Sequence, residues 1–98
     1  VSLVFNGLRI DEVIIDQHYK LKHPEVSDRV ILKLIIQLHN LVLKPSELKN
    51  EFLYYMEEPI FLDDKPYRLV FVMEKNKNYL GVINAFRIQE KRYGIPIR

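Results

Sequence analysis

The chain has 98 residues, 48% of them hydrophobic and 29% charged, with a formal net charge of +2 at pH 7, which suits one core and is too little for two, so a single domain over residues 1–98 is expected. It has no cysteine, which excludes a disulfide, a thiol nucleophile and a thiolate metal site. No apolar run approaches the roughly 20 residues that cross a bilayer, and nothing reads as a signal peptide, so a cytoplasmic protein without a membrane partner is expected.

In chain order, Val1 to Phe5 reads as a short strand ending at Asn6-Gly7, a pair that tolerates positive φ and favours a tight turn. Leu8 to Ile15 fits a buried strand or the start of a helix. The reading leans to helix, because Asp11 is a possible cap and Glu12 suits a first turn. Pro24 ends whatever precedes it. The clearest helix follows, with Val26, Val30, Ile31, Leu34, Ile35 and Leu38 on one side and Arg29, Lys33 and Gln37 on the other. Pro24 or Ser27 starts it, Glu25 and Asp28 suit its N-terminal dipole, and Asn40 is a left-handed stop.

Lys44-Pro45-Ser46 breaks the chain again. Leu48, Phe52 and Tyr55 share a face if Ser46 caps a short helix, but Phe52 to Met56 equally opens a strand. Glu58-Pro59 reads as a turn, Ile60 to Leu62 as a brief strand, and Asp63-Asp64-Lys65-Pro66 as a strong turn. Two longer strands, Tyr67 to Met73 and Tyr79 to Ile88, flank the polar loop Glu74 to Asn78, and both are apolar on each face, as central strands are. If they pair symmetrically about Asn76, Arg68 lies opposite Asn84 on one face while Arg87 points to the other.

Charge is unevenly spread. Glu57, Glu58, Asp63 and Asp64 make an acidic run without a base, whereas Arg87, Lys91, Arg92 and Arg98 oppose only Glu90. His18 to His23 adds Lys20 and Lys22 without an acid. Brought together, the two basic segments make a patch able to follow a phosphate backbone. His18 and His23, five apart, sit about 140° apart on a helix, and no nearby acid completes a ligand set, so no metal or cofactor is expected. Phosphate-loop, dinucleotide and serine-nucleophile motifs are absent.

Tyr67-Arg68-Leu69-Val70-Phe71, a polar loop, and a second apolar run ending in Phe86 and Arg87 with Tyr93 beyond resemble the closing hairpin of the RelE/ParE toxin family. The resemblance implies an α+β fold, with an N-terminal strand and helices packed on a small, mainly antiparallel sheet of about four strands. In the RelE branch it also implies RNA cleavage, with Arg68, Arg87 and Tyr93 at the site. Guanidinium groups suit that chemistry, since they grip a phosphate bidentately and stabilise charge on it. RelE ribonucleases carry lysines on the preceding strand, but Glu58-Pro59-Ile60-Phe61-Leu62-Asp63 has none. His18-Tyr19-Lys20-Leu21-Lys22-His23 offers a replacement, since it resembles the histidine and lysine segment of the wider barnase, colicin and RelE-like group.

Cleavage by 2′-hydroxyl attack needs a base, an acid for the leaving oxygen and cations around the phosphorane. The catalytic candidates are therefore Arg68, Arg87, Tyr93, His18 and His23, with Lys20, Lys22, Asn84, Lys91 and Arg92 binding substrate. Asn84 stands where relatives carry serine or threonine, and it holds a phosphate oxygen rather than moving a proton. The function expected is a metal-independent endoribonuclease toxin acting on RNA, including ribosome-bound mRNA, and neutralised by a cognate antitoxin. The alternative is a non-catalytic ParE-like toxin or protein-binding module.

Overall fold

A computed structural model describes residues 3–17 and 26–88. Its elements are β1 (Leu3–Phe5), β2 (Leu8–Ile10), β3 (Glu12–Ile15), α1 (Asp28–Ile36), β4 (Glu47–Lys49), β5 (Phe52–Leu62), β6 (Lys65–Glu74) and β7 (Tyr79–Arg87). β1 and β2 form an antiparallel hairpin, and the other strands form one sheet in the order β3-β7-β6-β5-β4. All neighbours in that sheet are antiparallel except β3, which runs parallel to β7.

This corrects the expected RelE-like architecture of helices on a four-stranded antiparallel sheet. The described residues are mostly strand, with one helix, a five-stranded mixed sheet and a separate hairpin. The difference arises in two places. Leu8 to Ile15 is not helical, because Leu8–Ile10 pairs back on β1 and Val13-Ile14-Ile15 pairs with Leu80, Gly81 and Val82; three consecutive β-branched residues suit that edge better than a helix. Asp11 caps nothing, and its backbone N–H instead donates to Asn78 O at 2.8 Å. Nor does Ser46 cap a helix. Its N–H and hydroxyl both donate to Tyr54 O, and this places β4 beside β5.

Other expectations hold. Ser27 is the N-cap of α1, its Oγ accepting from Val30 N–H at 3.2 Å, with Asp28 in the first turn. Asn40 has the left-handed φ expected, 66°, but α1 already ends at Ile36 with Gln37 as its C-cap, so Asn40 closes the turn that follows instead of the helix. Asn6 and Gly7 turn the first hairpin with φ of 52° and 74°. Asp63 and Asp64, both at positive φ, turn β5 into β6. β6 and β7 are interior strands of the sheet.

One face of the sheet carries the core. Ile31, Leu34 and Ile35 of α1 meet Tyr55 and Ile60 of β5, Leu69, Phe71 and Met73 of β6, and Leu80, Val82 and Ala85 of β7. Leu3, Phe5 and Ile10 of the hairpin complete it. Phe5 meets the rings of Tyr55 and Phe71 edge-on at 5.1 and 5.3 Å, and those two rings stack at 5.0 Å. Aromatic pairs in such geometries contribute about 0.5–1.5 kcal/mol beyond area burial. Asn6 ties the hairpin down, donating from Nδ2 to Leu43 O and to the Tyr55 hydroxyl while its Oδ1 accepts from Leu43 N–H at 2.6 Å. Burial raises the Tyr55 phenol above its ordinary range, and the Asn6 bond partly opposes this.

Two register shifts shape the opposite, open face. On β7, Val70 pairs with Asn84 but Phe71 pairs with Val82, leaving Ile83 as the extra residue. On β5, Glu57 pairs with Leu69 but Ile60 pairs with Tyr67, so Glu58 and Pro59 together stand opposite Arg68. Such bulges redirect side chains without ending a strand, and Glu58-Pro59 is therefore a bulge inside one long strand rather than the turn expected there.

Candidate functional site

Arg68 is the best placed of the expected residues. It sits midway along β6 with its Nε–H donating to Glu58 Oε1 on β5, and both side chains are 22% exposed. Pleating explains the meeting, since Glu57 and Arg87 follow the core-side parity while Glu58, Arg68 and Phe86 point to the open face. Phe86, directly across from Arg68, lies beneath the guanidinium, with Cζ 5.3 Å from the ring centroid. Charge pairing and cation–π contact together fix the guanidinium plane.

Asn84 belongs to the same face, one row further along β7, opposite Val70 rather than opposite Arg68 as symmetric pairing predicts. The bulge at Ile83 displaces that pairing. The Asn84 Oδ1 is buried and finds no hydrogen-bond partner among the described residues. Arg87 is exposed at the end of β7 opposite Tyr67. It points to the other face, as strand parity predicts, so the bulge does not reunite it with Arg68. His18, Lys20, Lys22, His23, Lys91, Arg92 and Tyr93 lie outside the described residues.

Glu58 is the functional candidate that sequence reasoning missed. Reading Glu58-Pro59 as a turn removed its carboxylate from any strand face. Mirror symmetry about the Asp63-Asp64 turn, the same device applied to the next hairpin, puts Pro59 opposite Arg68 and Glu58 opposite Leu69, and only the bulge brings Glu58 onto the Arg68 face.

Topology gives this end of the sheet a further property. β3 and β7 run in the same direction, with Asp16 N–H donating to Val82 O at 3.0 Å. The described chain leaves this end of the sheet at Gln17 and again at Ile88. Besides Glu58, register places Glu12, Glu47 and Glu74 on the open face, and Glu74 lies about 20 Å from Arg68 at a strand's rise per residue. One groove of about 250 Å³ lies by Asn6, Tyr55 and Met73, and another of about 290 Å³ lies by Gln37, Glu57, Pro59 and Ile60, next to the bulge that carries Glu58.

Chemically, a carboxylate and a guanidinium side by side on an open sheet face combine a proton acceptor with a phosphate clamp. The flanking Phe86 ring offers an apolar surface. Among the described residues no group of three or more His, Asp or Glu side chains is placed to hold a metal ion, and no helix is long and apolar enough to cross a membrane. No family model, curated protein or solved structure matches this chain.

Proposed function

We propose that the chain cleaves RNA without a metal, on the open sheet face centred on Glu58 and Arg68. The observation that carries this reading is the Glu58–Arg68 couple, held by neighbouring strands at the sheet end that the described chain leaves at Gln17 and Ile88. Glu58 takes the proton from the 2′-hydroxyl as its oxygen bonds to phosphorus. Arg68 stabilises the charge on the phosphorane, and the bond from phosphorus to the 5′ oxygen breaks. His18 or His23 supplies the proton that this leaving oxygen needs. Phe86 gives a base or ribose an apolar surface to rest on. A protein antitoxin, the partner that the RelE/ParE resemblance implies, acts by covering this face.

The test is incubation of purified protein with RNA in excess chelator. Cleavage leaving a 2′,3′-cyclic phosphate, lost in Glu58→Gln and in Arg68→Ala, supports the reading. Cleavage unchanged in both variants removes the couple from the site.

A second reading is a protein-binding module. Ile14 and Met56 are each 47% exposed, and by register they share the open face with Val70 and Val72. That apolar area favours a protein partner over a polyanion, and this reading predicts no RNA cleavage under any condition.

A further inference from the structure

The edge of β5 beside α1 holds a second feature, independent of RNA cleavage. α1 buries Ile31, Leu34 and Ile35, yet Leu32 and Ile36 on the same helix are 43% and 53% exposed. Spaced four apart, they form a second apolar stripe. Past the C-terminal end of α1 lies a groove of about 290 Å³ walled by Leu38, Leu41, Pro59, Ile60 and Phe61. Leu41 and Phe61 are themselves 44% and 49% exposed. Gln37 Nε2 donates to Phe61 O at 2.7 Å and so holds the helix end against β5.

Glu57 also lines this groove. Register places it opposite Leu69, on the α1 side of the sheet, back to back with Glu58. Burial pushes its carboxyl above the ordinary range, and no described residue offers it a hydrogen bond or an ion pair. The carbonyl end of α1 adds partial negative charge nearby, and Asp63 and Asp64 follow at the end of β5. Apolar walls around one carboxylate, under the negative end of a helix, match a side chain with a long aliphatic stem and a cationic tip.

We infer that this groove receives an arginine or lysine side chain from a partner protein, its aliphatic stem lying along Leu38, Leu41 and Ile60.

The test uses hexylguanidinium as a mimic of the anchor and 1-hexanol as its neutral control, read by backbone amide signals of the full chain. Hexylguanidinium is expected to move the signals of Gln37, Leu38, Leu41 and Ile60 and to bind at least ten-fold more tightly than hexanol. In Glu57→Gln that advantage should vanish while signals remote from the groove keep their positions. Should this variant fold poorly, the titration of the Glu57 carboxyl carbon in the unaltered chain replaces it, with a midpoint that falls when hexylguanidinium is added. Equal binding of the two probes, an advantage that survives in Glu57→Gln, or an unmoved midpoint overturns the inference. So does self-association of the chain that Glu57→Gln abolishes, because the groove is then filled by a second copy.

Discussion

Arg68 and Glu58 meet across two neighbouring strands because a single extra residue in β5 turns the Glu58 carboxylate onto the same face as the guanidinium. Each side chain is mostly buried, so breaking the pair leaves an under-solvated charge behind. Arg68→Ala and Glu58→Gln should each lower stability by about 1–3 kcal/mol, between the values for exposed and buried pairs. The double variant should cost less than the sum of the two, as urea unfolding of all four proteins would show. If the costs simply add, the two groups do not interact in solution.

Loss of the Ser27 hydroxyl unsatisfies the Val30 N–H at the start of α1. Ser27→Ala should therefore destabilise the chain by about 1 kcal/mol, and Ser27→Asp should retain most of the stability by accepting the same bond. Thermal unfolding of the three proteins checks the order.

Asn6 combines a positive φ with three hydrogen bonds that join the β1–β2 turn to Leu43 and Tyr55. Asn6→Ala removes the bonds and sets an ordinary side chain at φ of 52°, for an expected cost of about 2–4 kcal/mol. Asn6→Gly, which relieves only the backbone, should recover part of that loss. Equal stability of the alanine variant and the parent would show that the hairpin is not anchored through this residue.

Glu57 gives the chain a pH dependence with a defined sign. Its folded value lies above the ordinary 4.5 because burial disfavours the charged form. Between the unfolded and folded values the folded state holds more protons, so stability falls as pH rises through that window, and the penalty is complete above it. Glu57→Gln should match the parent below pH 4.5 and exceed it in stability at pH 7. Parallel stability curves across that range would contradict the assignment.

The helix and the turns were legible in the sequence because their signals are local. Ser27 marks the start of α1 by cap chemistry, and Asn6-Gly7, Asn40 and Asp63-Asp64 mark turns by tolerance of positive φ. The strand at Leu8 to Ile15 was not legible. Its apolar run suits both states, and its pairing with β7 spans some 65 residues of intervening chain, information that no short window carries. Arg68 and Arg87 fall on different faces as expected because the observed register, Arg68 opposite Phe86, differs from the expected one, opposite Asn84, by two residues, and an even shift preserves parity. The Glu58–Arg68 couple was hidden by Pro59, which reads as a strand breaker but here sits within a bulge.

The central claim is that this face cuts RNA, and the most direct measurement is message integrity in a translating extract containing excess chelated-buffer protein stock and an RNA whose ends can be mapped. The extract supplies ribosomes to position the message, so a domain that works only on bound mRNA is also caught. The account predicts messages cut with a 2′,3′-cyclic or 3′-phosphate at the break, and no cuts with Glu58→Gln at the same concentration. Messages that stay whole with the unaltered protein in excess would contradict it, and would leave the open face as a surface for binding protein.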